Sequence, residues 1–446
     1  MTEFHNLEME IKYLNKIKNS YFKAVFITLF LRIIGVLTLF GFTLFLTNNY
    51  SPEIVGNYEL IRVFVLVISS ISILGIDQSI YQFIGKLKAK NAFESSLYSF
   101  YIQLLKLLIV ASLMVIVLFH LIPKKIILDF YSNDNLIYDY IEKSIYLLFF
   151  YSLTIVNTEF LRGLGLIHLS ELFRNFLKFA PVILGSILLL YRSTPILIID
   201  FYLYGFLLLS IISLLIVLNR IRLIQKSEES KKAIIKFSKR EIIVKSYPMA
   251  ISGLCIFLML SIDSFLLKKY YSNSHVAFYS IAVKFFTILS LVIVAINVNV
   301  SPKIAEYYFS SNKKELTALL LKSKKIICLI NWFTGFLLIF FGKILLVCFG
   351  EDYIQAYTPM LILVIGQMIA SLFGSVGVAL NMIEKQKIFQ RILILSTVIN
   401  IVSNVILIPR YGMNGAAISF VISSLFWNIT SYIYLNKYIE LKFYNH

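Results

Sequence analysis

Charge is scarce in this chain. Of its 446 residues only 15% are charged, against about 25% in an ordinary soluble domain, so there is little polar surface to dissolve a globule of this length. Cysteine is scarcer still. Cys255, Cys328 and Cys348 are the three present, in or beside apolar stretches and without the spacing of metal ligands. The five histidines scatter with no HxxxH or HExxH pattern. A Walker loop, a GxSxG elbow and a cofactor fingerprint are all lacking, which argues against a hydrolase, a kinase or a redox centre, and "GLG" at 163–165 reads as a turn. No enzyme activity, cofactor or metal is expected. Residues 1–22 are polar and the first apolar block is too long for a signal h-region, so no cleaved signal peptide is expected either.

What the chain has instead is apolar length. Hydrophobic residues make up 59% of it, gathered in blocks of about 20, the number needed to cross about 30 Å of hydrocarbon. Backbone polar groups in lipid must be satisfied within the segment, so such blocks are helices. Twelve spans are predicted, at 23–46, 60–84, 98–121, 143–162, 172–191, 196–218, 246–267, 277–301, 325–348, 357–380, 388–408 and 413–435. The expected fold is an all-α polytopic membrane protein.

The basic residues orient it. Of 42 Lys and Arg, 30 fall in or beside the segments that face inward when both termini are inside, and eight (Lys124, Lys125, Lys143, Arg192, Lys268, Lys269, Lys343 and Arg410) fall outside. Lys and Arg stay cytoplasmic, so both termini are expected there. Basic inner loops against anionic headgroups also account for the net charge of +18. With no basic soluble module, nucleic acid is not an expected partner. The outer loops are short, the longest being about 122–142.

The longest inner loop, 219–245, is a basic linker that could lie on the membrane surface as an amphipathic helix. It divides six spans from six. Val55-Gly56-Asn57-Tyr58 echoes Val276-Ala277-Phe278-Tyr279, the turn at Leu161–His168 matches Leu380–Lys387, and Arg192 after "LLLY" matches Arg410 after "ILIP", all at nearly constant offset. These echoes predict two parallel six-helix lobes, 23–218 and 246–435, around a central cavity. Residues 1–22 and 436–446 are then a cytoplasmic N-terminal segment and tail.

Four cations lie inside spans, where an unpaired charge costs several kcal/mol. Arg62 and Lys284 occupy nearly the same position in the two repeats, and Arg32 is nearer the middle of the first span. Converging on a cavity, these three would suit a phosphate or pyrophosphate. The duller alternatives are snorkelling and structural ion pairing, and Glu59, three residues before Arg62 on one helical face, is a ready partner. Lys106 has no repeat counterpart. Among the acids, Asp77, Asp263, Glu59 and Glu159 could couple an ion gradient or balance the cations. Glu171, Arg174 and Lys178 form one face at the inner end of the fifth span, either an interface anchor or an entry guide for a charged headgroup.

Several stretches resemble a known family. "FLRGLGLIHLSE" (160–171), "YPMAISGLCIFLMLSIDSFLL" (247–267), "VAFYSIAVKFF" (276–286) and "IPRYGMNGAAIS" (408–419) are similar to segments of Wzx-type O-antigen flippases. These belong to the multidrug/oligosaccharidyl-lipid/polysaccharide exporter superfamily, and the likeness covers the whole chain in length and motif order. It implies translocation of an undecaprenyl-pyrophosphate-linked oligosaccharide, for lipopolysaccharide or a related polysaccharide, across a bacterial inner membrane by alternating access. It also implies membrane lipids as surroundings and a polysaccharide polymerase and chain-length machinery as partners. Related peptidoglycan-precursor flippases carry cavity arginines on their first, second and eighth helices, the helices that hold Arg32, Arg62 and Lys284 here. Lysine in place of arginine at 284 keeps the charge and loses the forked geometry. Asn157, Asn297 and Asn299 are candidate sugar contacts.

Two other functions compete with this one. A multidrug or cation exporter of the same fold would want an acidic or aromatic cavity. An O-antigen polymerase or ligase would want a large outer loop.

Overall fold

The computed structural model describes residues 31, 34–89, 92–131, 133–190, 194–226 and 235–439. Arg32 and Arg192 lie outside the described residues. Regular structure among the described residues is wholly helical. Eight of these helices are long and apolar enough to cross a membrane, and up to nine if a pair bent by 51° counts as one span.

In chain order the helices are α1 (Ile34–Asn49), α2 (Pro52–Ile73), α3 (Ile76–Ala89), α4 (Phe93–His120), α5 (Lys124–Phe130), α6 (Asn135–Tyr146), α7 (Leu148–Gly163), α8 (Ile167–Asn175), α9 (Ala180–Leu188) and α10 (Ile198–Lys226). They continue with α11 (Lys239–Met259), α12 (Ile262–Tyr270), α13 (Asn273–Phe309), α14 (Lys313–Val347), α15 (Tyr357–Ser371), α16 (Val376–Met382) and α17 (Gln386–Ile439). Polar residues set several starts. Asp134 accepts from the Ile137 amide ahead of α6, Ser272 from His275 ahead of α13, and Asn312 from Glu315 ahead of α14.

Several predicted spans are not single helices. The span 60–84 breaks at Leu74 and Gly75, both at positive φ. The span 246–267 breaks at Leu260–Ser261, where the Ser261 amide bonds back only three residues, to Leu258. Asp77 and Asp263 each fall in the first turn of the helix that follows such a break. The span 143–162 is the bent pair α6 and α7. The spans 172–191 and 357–380 each divide into shorter helices. The last two spans run together as α17, whose Gly412 (φ 54°, ψ −130°) is non-helical and marks the bend. At the linker, α10 runs on to Lys226 and α11 starts at Lys239, so both ends of 219–245 extend neighbouring helices.

Side-chain exposure has the membrane pattern. On α14 the exposed residues include Leu329, Phe333, Phe336, Phe340 and Ile344. Its buried face instead includes Ser323, Asn331, Gly335 and Gly342. The glycines admit Met368 and Met360 of α15 into close contact. Small residues inward and large apolar ones outward is how helices pack when lipid is the solvent.

Packing gathers the chain into two compact units. One consists of the described parts of Met1–Phe45, Ile76–Leu108 and Phe149–Ser238. The other consists of those of Leu46–Gly75, Ile109–Leu148 and Lys239–His446. The grouping follows packing rather than chain order: α2 lies along α13 and α11, and so falls in the second unit.

Candidate functional site

A glycine lets α2 approach α13 closely. A Cβ on Gly56 would sit 1.8 Å from the Asn273 carbonyl oxygen, so no larger residue fits there without moving a backbone. One turn further along α2 stands Glu59, 3% exposed, and on α13 Lys284, 5% exposed. Lys284 Nζ donates to Glu59 Oε1 at 2.5 Å. The other oxygen, Oε2, accepts from Arg62 Nε at 2.8 Å and pairs with an Arg62 terminal nitrogen at 2.7 Å. One carboxylate therefore joins two cations. Val55, Ile61, Ala277, Ile281 and Phe285 are buried on the same helices, in surroundings that strengthen each charge's pull on its partner.

Unpartnered polar atoms lie at the same end of these helices. Asn57 and Asn273 are each 5% exposed, and their side-chain oxygens have no hydrogen-bond partner. Tyr353 packs edge-on against Phe278 with ring centroids 5.1 Å apart, and its buried hydroxyl also lacks one.

A second buried acid is held quite differently. Asp263, 1% exposed, accepts from the Tyr279 hydroxyl at 2.7 Å and from Asn404 Nδ2 at 2.8 Å. Asn404 also reaches Asn400, which donates to Ser423 at 3.2 Å. Asp263 is in no ion pair among the described residues, and the Asn404 Oδ1 in this network is unpartnered.

In the first unit two acids, Glu159 and Glu171, are matched with bases. Glu159 on α7 binds both Arg174 on α8 and the Tyr81 hydroxyl on α3. Arg162 pairs with the fully buried Glu171 at 3.0 Å, and Asn175 donates to that same carboxylate at 2.7 Å. The two pairs staple α7 to α8 across their short turn. Asp77 lies near enough to feel Glu159 and Arg174. Lys178 sits over the Phe179 ring at 4.8 Å.

The structure thus brings together Glu59, Arg62 and Lys284, and separately Asp77, Glu159 and Arg174. Lys284 is held by a carboxylate rather than reaching out of its helix, and Lys106 is exposed. Asn157, a candidate sugar contact, is engaged in packing. It accepts from Tyr101 at 2.7 Å and donates to Ser213 at 2.9 Å with no exposed surface. The Asp263–Asn404 link was missed from sequence, and the signal available for it was the i, i+4 pair Asn400 and Asn404 in an apolar helix.

A profile described as "Polysaccharide biosynthesis protein" matches residues 21–308, well over half of the chain. The chain belongs to the polysaccharide biosynthesis protein family. A second profile, described as MatE, matches residues 248–406. Among proteins similar to this family member is "Probable low-salt glycan biosynthesis flippase Agl15" of Haloferax volcanii, 24% identical over 183 residues. That match takes in 41% of this chain and 39% of the relative, so the chain matches about two fifths of the relative's length. An uncharacterised membrane protein of Methanocaldococcus jannaschii is 34% identical over 100 residues, 22% of this chain and 20% of that one.

Solved structures share the fold. The lipid II flippase MurJ in an inward closed conformation superposes with TM-score 0.69 at 16% identity, covering 94% of this chain and 87% of that one. An inward-facing multidrug resistance MATE family transporter of the MOP superfamily gives 0.69 at 14% identity, over 93% and 98%. At such identities the likeness is one of fold. This member of the polysaccharide biosynthesis protein family is a multi-pass helical membrane protein with that superfamily's architecture.

Proposed function

We propose that the protein is a flippase for a lipid-linked oligosaccharide, carried on undecaprenyl pyrophosphate in a bacterial inner membrane. Its basic intramembrane residues would receive the pyrophosphate while the lipid tail stays in the bilayer. The observation that carries the reading is the Arg62–Glu59–Lys284 cluster, in which one buried carboxylate gathers a buried lysine and a part-exposed arginine from two helices of a polysaccharide biosynthesis protein family member. Arg62 offers forked donors and Lys284 a compact charge, the two forms in which proteins bind phosphate. The family and the flippase named among its relatives support a glycan as the cargo. Arg32, Arg174 and Lys178 remain further candidates for the headgroup's path. Asp263, a buried acid with neutral partners, is the candidate for coupling to a proton or sodium gradient, ahead of the paired Glu159 and its neighbour Asp77.

The test is genetic. In a strain lacking its own copy, Lys284→Ala is expected to lower surface polysaccharide at least about tenfold at normal protein level. Lys284→Arg is expected to restore most of it. Normal export by Lys284→Ala would overturn the role given to this site.

One observation favours a second reading, a cation exporter of the same fold. The MatE profile covers 248–406, the segment that holds Asp263 and Asn404.

A further inference from the structure

The two cations assigned to the pyrophosphate are already occupied. Both oxygens of Glu59 are in use, one by Lys284 across the helix interface and one by Arg62 within α2. A phosphate oxygen seeking Lys284 Nζ must therefore compete with a carboxylate that is 2.5 Å away and excluded from water. The carboxylate and the phosphate are the same kind of ligand, an anion whose paired oxygens accept charge-assisted hydrogen bonds.

The position of the pair matters as much as its chemistry. Lys284 and Glu59 are 225 residues apart in sequence, and their bond ties α2 to α13 one turn past Gly56 on α2 and about three turns past Asn273 on α13. Close enough to Glu59 to feel its charge lies the Tyr353 hydroxyl, a donor without an acceptor, and toward the starts of α2 and α13 lie Asn57 and Asn273, acceptors without donors. Such buried polar atoms are costly unless something polar completes them. A sugar pyrophosphate has acceptors for the tyrosine and hydroxyl donors for the asparagines.

We infer that Glu59 is a built-in substitute for the substrate's phosphate, displaced when the pyrophosphate takes Lys284 and Arg62, so that substrate binding unties α2 from α13. This deepens the flippase reading and rests on it. In the empty protein Glu59 neutralises one of the two cations and holds the helices together. In the loaded protein the phosphate does the first job and the second is released. A ligand that binds the untied arrangement better shifts the population toward it by that difference in affinity. Glu59 also sets a threshold: an anion too weak to displace a buried carboxylate leaves the tie closed. Release of the substrate is then assisted by the return of Glu59 to the same cations.

The experiment uses the full chain in lipid nanodiscs, with inorganic pyrophosphate and undecaprenyl pyrophosphate as separate probes. Glu59→Gln keeps the shape and removes the competing charge. It is expected to bind undecaprenyl pyrophosphate at least about tenfold more tightly than the unaltered protein, with Glu59→Asp in between and Lys284→Ala weaker than all. Inorganic pyrophosphate should follow the same order if the phosphates alone are recognised, and gain nothing if the lipid is needed to reach the site. Spin labels replacing Glu53, in the first turn of α2, and Tyr271, two residues before the start of α13, report the tie. Undecaprenyl pyrophosphate should lengthen that distance in the unaltered protein and leave it unchanged in Glu59→Gln, where it is already long. If Glu59→Gln binds no better, or worse, while Lys284→Ala still loses binding, Glu59 merely positions the cations and the inference is overturned. If neither probe binds any form and Lys284→Ala exports normally, the flippase reading of this site falls and takes the inference with it.

Discussion

A lysine inside an apolar helix has three fates, reaching water, holding a ligand or finding an acid, and Lys284 has found an acid. Replacing one member of a buried ion pair strands the other and costs about 3–5 kcal/mol, whereas replacing both by neutral groups of similar shape is often neutral. Lys284→Met is therefore expected to lower the melting temperature in detergent, toward the low end of that range because Arg62 still pairs with Glu59. Glu59→Gln combined with Lys284→Met should recover most of the loss. A double variant no more stable than Lys284→Met alone would show that the pair is not what ties the helices. Half of this cluster was legible in the sequence. The i, i+3 spacing put Glu59 beside Arg62, and the repeat set Arg62 level with Lys284. What the sequence withheld was that α2 and α13, the repeat-related helices, pack against each other, because a contact 225 residues distant leaves no local periodicity.

At the scale of the element, helix existence was readable and helix continuity was not. Apolar blocks of span length announced the helices, since lipid admits nothing else. Two of the breaks fall in runs that stay apolar, Ile73-Leu74-Gly75-Ile76 and Met259-Leu260-Ser261-Ile262, so hydropathy passes over them. Only Gly75 and Ser261 punctuate those runs, and isolated glycine or serine is ordinary in membrane helices. Both breaks place an aspartate in the following first turn, near the positive end of a helix dipole. Gly56 offers a sharper test of packing. Gly56→Ala would press a methyl into the Asn273 carbonyl, an overpacking worth about 1–3 kcal/mol. The expected result is a lower melting temperature and a longer Glu53–Tyr271 label distance without any ligand. An unchanged melting temperature would mean that α2 and α13 are not held at this point.

For the whole molecule, the charge asymmetry read from sequence and the helical architecture are complementary. The basic excess expected on the inner segments attracts anionic headgroups, while the intramembrane cations would accept a phosphate from them. The acids shift the balance between the rival readings. Glu59 cancels one of the two cations described in the span interiors of α2 and α13, so sign of charge alone no longer separates a glycan flippase from a cation exporter. Transport does. The deciding measurement reconstitutes the purified chain in proteoliposomes carrying an undecaprenyl-pyrophosphate-linked oligosaccharide with a fluorescent sugar, and follows its movement between leaflets alongside uptake of a fluorescent hydrophobic cation. The account predicts glycan-lipid movement that Lys284→Ala abolishes and Lys284→Arg retains, with no cation transport. Transport of the cation but not the glycan lipid, dependent on Asp263 and indifferent to Lys284, would contradict it.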